Sequence, residues 1–323
     1  MNARQAGRFL QAIRPELERV EGILQSAVAR AGEPLQSALA PLMDAGKRLR
    51  PTLVILVSKL YGRPSPAFER LAAAIEMLHT ATLIHDDVLD DAALRRGRKT
   101  LHTTWPVAAA VLAGDYLLAE AVSLVAELAD ARIVRILADT LRVMCSGEIA
   151  DVFNVHSAAE ARRAYYASIK AKAASLFAAS SQMAGILADA SAEQVVALHL
   201  FGWELGIAFQ IVDDVLDFVG TESQLGKQVG SDLRQGLVTL PSLCYLEASQ
   251  GENAVQTVLS GTRDEEHLAA AVQGILASGA IESAMAEARE HAARSKAALR
   301  ALPDSRWRRI LADLPERVLA RRN

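Results

Sequence analysis

The stretch LIHDDVLDDAALRRGRKT, residues 83–100, sets four aspartates inside an apolar helical run and follows them at once with arginines and lysines. At about 100° per residue, Asp86 and Asp90 fall about 40° apart on one helix face, with Asp87 and Asp91 as a neighbouring pair. Like charges at that spacing cost about 0.2–0.5 kcal/mol in water and much more where water is excluded. Leu83, Ile84, Val88 and Leu89 surround the acids with apolar side chains, which predicts a helix deep in the fold. A second run, IVDDVLDFVG at 211–220, repeats the pattern with Asp213, Asp214 and Asp217. Two such stripes can face each other across a cavity, and a cation there would reverse the sign of the repulsion. Carboxylate oxygens select a hard ion, and Mg²⁺ usually takes one or two carboxylates, several waters and phosphate oxygens. The direct inference is Mg²⁺ with a phosphorylated substrate; the competing reading is a pair of solvated acidic helix faces.

Working outward, the chain has 323 residues, a net charge of −3, 51% hydrophobic and 5% aromatic residues, as expected of a globular protein with a large core. With only 19 glycines and 10 prolines and abundant Ala and Leu, the composition favours helices over strands, so the expected class is all-α. The breaks in helical periodicity are short: YGRPSP at 61–66, the basic stretch after Asp91, LGKQVGSDLRQG at 225–236 and LPDSRW at 302–307. None has the length of a linker and no fixed-period repeat occurs, so a single domain over residues 1–323 is expected. From about residue 250 onward the amphipathic helices carry no recognisable chemistry and read as scaffold.

Cys145 and Cys244 are too isolated for a disulfide framework or zinc site and suit a reducing compartment. The first twenty residues lack a continuous apolar core and carry Glu16 and Glu18, which argues against a signal or transit peptide and for an amphipathic helix. The longest uncharged stretch, 173–188, falls short of the roughly 20 apolar residues that cross a bilayer. The expectation is therefore no membrane span and a cytoplasmic protein. A pI near 6.2 offers no broad footprint for nucleic acid.

The basic residues must then be read locally. Arg95 and Arg96 follow the first acidic stripe, GKRLRP at 46–51 adds Lys47, Arg48 and Arg50, and Lys170, Lys172 and Lys227 come later. Arg offers a planar fork to phosphate oxygens and Lys a point charge, so these side chains suit one or two diphosphates; singly, each is also readable as solvated surface charge. His79 precedes Asp86 by seven residues, about 20° away in projection and about 10 Å along the axis, so the same face reaches a second ligand unless His79 is a satisfied core residue. Phe209 and Gln210 share a face with Asp213 and Asp217; Gln210 suits a phosphate or metal-bound water, and Phe209 suits packing.

Taken in order, GKRLRP, LHTATLIHDDVLDDAALRRG, AVLAGDYLLAEA, SGEIADV, IKAKAASLF, GIAFQIVDDVLDF and LGKQVGSDLRQGLVTLP resemble the all-trans polyprenyl diphosphate synthases over nearly the whole chain, with an octaprenyl-type product favoured. A terpene cyclase shares the first acidic motif but usually carries an Asn/Asp, Ser/Thr, Glu pattern in the second. The resemblance implies an all-α isoprenoid-synthase bundle around a central cavity, usually a homodimer, with both acidic motifs at the mouth. It implies that Asp86, Asp90 and Asp213 ligate Mg²⁺ on an allylic diphosphate, that Asp87 and Asp217 support them, and that Asp214 belongs to the same catalytic set. It assigns Arg95, Lys172, Gln210 and Lys227 to that diphosphate, and Lys47, Arg50, His79 and Arg96 to isopentenyl diphosphate.

The implied reaction is ionisation of the allylic diphosphate, attack by the double bond of isopentenyl diphosphate and loss of a proton, repeated in five-carbon steps. In the family, bulky aromatics just before the first motif stop elongation. Here Ala81 and Thr82 stand there, which points to a long product for a quinone side chain. Farnesyl or geranylgeranyl diphosphate synthesis and a non-catalytic partner subunit are the alternatives. The chain departs from the family pattern at Ala173, where Thr is usual, at Leu237, where Lys is usual, and at Pro106, where Gly is common. The basic end, RWRR through ARRN, raises peripheral membrane contact for product release.

Overall fold

The computed structural model describes residues 3–43, 46, 48–95, 97–153, 158–220, 229–249 and 253–321. The expected all-α class is what it has: apart from turns, the described chain is helical except for the two-residue strands β1 (Leu94–Arg95) and β2 (Arg98–Lys99). These pair antiparallel, with Leu94 opposite Lys99, and Gly97 takes the positive φ of 74° that closes so tight a hairpin. The chain divides into two compact units, the first made of residues 1–140, 176–202 and 298–313, the second of 141–175, 203–297 and 314–323.

In the first unit, α1 (Ala3–Arg30) is the amphipathic helix its sequence predicts. Ile13, Val20, Leu24 and Ala27 are wholly buried and follow one another at helical spacing. After α2 (Leu35–Met43) and α3 (Leu49–Leu60), the YGRPSP turn hands over to α4 (Pro66–Leu89). Ser65 is extended, Pro66 opens the helix where its missing N–H costs nothing, and Glu69 lies in the first turn, where the helix dipole favours an anion. Nearly every face of α4 is covered, with Phe68, Leu71, Ile75, Met77 and Leu78 all buried. Burying such side chains contributes about 1.5–3 kcal/mol each.

Among its neighbours α1, α3 and α6 (Val107–Ala126), α4 packs most extensively on α6. Small residues make that approach possible: Ala110 and Ala113 are buried, and a Cβ on Gly114 would stand 2.3 Å from Nε2 of His85. A second close crossing brings α9 (Ser175–Leu187) against α10 (Ala192–Val219) at Gly202, where a Cβ would lie 2.3 Å from both the Phe177 carbonyl and the Ser181 Oγ.

By length and composition α6 and α10 are both apolar enough to cross a membrane, although no uncharged stretch of the sequence reaches that length. The reason is physical. Isolated acids, Asp115 and Glu120 in α6 and Glu204 in α10, interrupt the uncharged run without lowering the mean hydropathy below that of a span. Of the apolar window of α10, 61% is buried inside the protein, against 33% for α6.

The second unit contains α8 (Ala158–Ile169), α12 (Leu240–Ala248), α13 (Ala254–Leu259), α14 (Glu265–Ala277) and most of α15 (Ala280–Ala298). The helices after residue 250 have the scaffold character expected, burying Val255, Val258, Leu268 and Ile275. A polar network binds this unit: Arg162 donates to Glu247 at 2.8 and 2.7 Å and to Glu287 at 2.7 and 2.9 Å, and Tyr166 donates to Glu287.

Glu204 joins the network through His291 at 2.6 Å and Arg294 at 3.1 Å. Burial pushes its carboxyl up, but these two partners outweigh burial and hold it below the usual range. A depressed carboxylate stabilises the fold above its unfolded pKa and loses that contribution as the pH falls through the folded value. Glu204→Gln is therefore expected to cost about 1–3 kcal/mol at pH 7 and progressively less as the pH falls below the ordinary glutamate value of 4.5, measured by urea unfolding across that range.

Candidate active site

The first acidic motif closes α4. Asp86 and Asp87 sit in its last turn at 7% and 5% exposure, and Asp90 is the exposed C-cap, its N–H bonded to the Asp86 carbonyl at 2.8 Å. Asp91 then turns left-handed at φ 47°. The Ala92 N–H reaches the Asp87 carbonyl at 3.0 Å and the Asp91 N–H the Val88 carbonyl at 3.4 Å, the paired bonds of a Schellman ending. Asp91 thus leaves the helix face that ideal periodicity gives it beside Asp87, and Leu89 is 59% exposed rather than deep. The hairpin returns Arg95 to the motif, where its Nε donates to Asp87 at 2.6 Å. Even so, burial pushes the Asp87 carboxyl above its ordinary range, with Arg95 pulling the other way.

The second motif closes α10. Asp214 is completely enclosed; it accepts the Tyr165 hydroxyl at 2.6 Å and the Gln210 amide at 2.8 Å. Burial first, then the nearby charge of Asp232, pushes this carboxyl well above the usual range. Asp217, 2% exposed, accepts the Ser231 hydroxyl at 2.8 Å and the Asp232 backbone N–H at 3.1 Å. Asp213 is half-buried and forms an ion pair with Arg321 at 2.7 Å.

Both motifs therefore lie at the C-terminal, negative ends of helices, where the dipole disfavours carboxylates. Burial raises that cost, so the arrangement destabilises the empty protein and attracts positive charge. A guanidinium already rests on one acid of each motif, Arg95 on Asp87 and Arg321 on Asp213. Among the described residues no three His, Cys, Asp or Glu side chains converge on one point as they stand. The chemistry of the donor set, carboxylate oxygens in a negative helix-end field, nevertheless fits a hard divalent ion.

Of the remaining predicted residues, Lys172 lies in a π-helical turn, Lys170–Ala174, and pairs with Glu148 of α7 (Ala131–Phe153) at 3.1 Å. Gly147 lets this turn press on α7, since a Cβ there would meet the Ala171 Cβ at 2.4 Å. Arg50 is buried with its guanidinium 4.3 Å over the Phe177 ring. His79 is half-buried, and its carbonyl accepts the Thr82 hydroxyl at 2.8 Å. Ala81 is buried. Lys47, Arg96 and Lys227 lie outside the described residues. Of the departures, Ala173 is buried in the π turn, Pro106 caps α6 and Leu237 points an exposed apolar side chain where the family pattern has a cation.

Sequence reasoning misses four partners of these groups: Tyr165, Ser231, Glu148 and Arg321. Glu148 and Ser231 stood inside quoted motifs, SGEIADV and LGKQVGSDLRQGLVTLP, without a role being read for them. Arg321 reads in sequence as part of a basic tail.

A profile described as Polyprenyl synthetase matches residues 33–275, about three-quarters of the chain. The chain belongs to the polyprenyl synthetase family. It is 39% identical over 305 residues to heptaprenyl diphosphate synthase component 2 of Geobacillus stearothermophilus, covering 94% of this chain and 93% of that one. It is 35% identical over 271 residues to octaprenyl diphosphate synthase of Escherichia coli K12, covering 83% and 84%. The crystal structure of polyprenyl synthase from Caulobacter crescentus CB15 complexed with calcium and isoprenyl diphosphate superposes with a TM-score of 0.92 at 33% identity, over 98% of both chains. The enzyme is a prenyltransferase, a trans-polyprenyl diphosphate synthase of the long-chain class.

Tyr165 supplies one of two donors to a fully enclosed carboxyl. Tyr165→Phe is expected to destabilise the protein by about 1–3 kcal/mol in urea unfolding, because the buried oxygen loses its partner without gaining water.

Proposed function

We propose that the enzyme lengthens an allylic diphosphate by successive condensation with isopentenyl diphosphate to an octaprenyl-type all-trans product destined for a quinone side chain. The observation that carries this reading is the placement of two aspartate motifs at the negative ends of buried apolar helices, each with a guanidinium already on one acid. Asp86 and Asp90 would hold Mg²⁺ at the first motif and Asp213 at the second, with Asp87 and Asp217 supporting them. The metal, when bound, supplies positive charge to the diphosphate oxygens.

The chain's own residues do the rest. Arg95 and Lys172, each now resting on a carboxylate, would turn to the departing diphosphate, along with Lys227. Their attraction grows as negative charge builds there, and that difference between ground and transition state lowers the barrier. Arg50 and His79, with Lys47 and Arg96, would hold isopentenyl diphosphate. Gln210 reaches the site indirectly through Asp214. Apolar side chains around the motifs keep water from quenching the allylic cation. Small Ala81 and Thr82, its hydroxyl turned back to the backbone, leave the path for the growing chain open on this reading. Leu237 removes one positive charge relative to the family pattern, which Lys172 and Lys227 offset.

A homodimer in the cytoplasm is part of the same proposal. On α6, Val107, Val111 and Val122 are exposed and lie within about 60° of one another, an apolar strip suited to a second copy. The apolar face of α16 (Arg306–Leu319) is already spent inward, with Leu311, Leu314 and Val318 buried, so membrane contact by that basic end would be electrostatic. A second reading comes from the word component in the name of the Geobacillus relative: this chain would elongate only together with another polypeptide.

Purified protein incubated with Mg²⁺, farnesyl diphosphate and labelled isopentenyl diphosphate is expected to give products of about eight isoprene units, sized by chromatography. Arrest at fifteen or twenty carbons would refute the long-chain proposal, and elongation only after adding a second polypeptide would favour the two-component reading. Asp86→Ala and Asp213→Ala are each expected to lower turnover at least about a hundredfold with the thermal unfolding curve retained.

A further inference from the structure

We propose that Arg321 is the resident counter-ion of Asp213, holding this acid while the metal is absent and competing with a divalent cation for it; the inference rests on Asp213 being a metal ligand. The C-terminal residues bring the guanidinium there by a defined route. Val318, at the end of α16, is anchored at 2% exposure. The Ala320 N–H bonds the Glu316 carbonyl at 3.0 Å and the Arg321 N–H the Val318 carbonyl at 3.3 Å, so the last helical turn fixes the Arg321 backbone. From that point the side chain crosses the face of Phe209, its guanidinium 4.3 Å from the ring centroid, and ends 2.7 Å from Asp213. The aromatic platform holds the cation even if the carboxylate is taken away, which suits an exchangeable contact.

The quality of the contact points the same way. Arg162 and Glu247, in the polar network of the same unit, form two parallel hydrogen bonds, from Nε at 2.8 Å and from Nη2 at 2.7 Å. Arg321 makes no such fork. Its Nε and Nη1 are buried and donate no hydrogen bond, so the 2.7 Å approach to Asp213 is charge attraction without alignment. A pair built for stability would use the fork geometry that guanidinium and carboxylate share. Here the acid meets its guanidinium without alignment, at the negative end of α10, a contact that a cation binding the carboxylate better can displace. The strength of metal binding at the second motif is then set in part by the last residues of the chain, which no acidic motif records.

The test uses full-length, substrate-free protein titrated with Mn²⁺, the free ion counted by electron paramagnetic resonance at fixed pH and ionic strength. Arg321→Gln is expected to bind Mn²⁺ about fivefold more tightly than the wild type, the factor corresponding to a partly exposed ion pair. Phe209→Leu, which keeps the charge but removes its platform, is expected to shift affinity in the same direction by less, and serves if Arg321→Gln does not fold in a thermal melt. Asp213→Asn should weaken binding, and adding Arg321→Gln to it should change nothing further. Unchanged or weaker Mn²⁺ binding in Arg321→Gln, with Asp213→Asn still weakening it, overturns the counter-ion role and leaves the metal assignment standing. Unchanged binding in Asp213→Asn overturns the metal assignment and this inference together.

Discussion

A carboxylate buried at the C-terminal end of a helix is disfavoured twice, by lost hydration and by the partial negative charge of unsatisfied carbonyls. This protein puts two such acids, Asp86 and Asp87, in the last turn of α4 and two more, Asp214 and Asp217, near the end of α10. Much of the surrounding polar structure answers that repulsion. Arg95 returns through a hairpin to Asp87, Tyr165 and Gln210 enclose Asp214, Ser231 and a backbone N–H hold Asp217, and Arg321 reaches Asp213. The acids within one motif consequently differ in kind. Asp214 is sealed and pushed toward its neutral form, whereas Asp213 and Asp90 keep contact with solvent. Three aspartates that look equivalent in sequence divide into two sealed by their partners, Asp214 and Asp217, and one, Asp213, that keeps contact with solvent.

Rigid packing around the motifs keeps those distinctions. Gly114 beside His85 and Gly202 beside Phe177 and Ser181 let helices approach closer than any side chain would allow. The π turn at Lys170–Ala174 does comparable work at Lys172, since the extra residue in the turn re-aims the side chain relative to a regular helix. Lys172 ends on Glu148 and Arg95 on Asp87, so both cations are held by acids. Leu237 shows the opposite case. It sits in the segment after Asp232 with its side chain exposed, next to Gly236, against which the Arg263 guanidinium packs.

The helical class, the amphipathic α1, the Ser65–Pro66 start of α4 and both acidic motifs were legible because they depend on local rules: propensity, capping and a 3.6-residue period. Idealised periodicity failed where the helix stopped. It placed Asp91 beside Asp87 and buried Leu89, but the left-handed turn at Asp91 ends α4 and exposes Leu89. Counting only uncharged residues likewise hid the apolar length of α6 and α10, because one or two acids break a run without making a helix polar. Gln210 was read toward a ligand, and the period did not show that its amide donates to Asp214, one turn along the same helix.

The sequence by itself determined that acids recur at helical spacing within apolar runs, and that cations lie near them along the chain. Those are properties of composition and period, which survive without knowing the fold. Tertiary structure alone decided which acid each partner meets: Tyr165 and Asp214 are separated by 49 residues and Arg321 and Asp213 by more than 100. Such pairs follow from how helices are packed in space, and no local period encodes the meeting of side chains so far apart along the backbone.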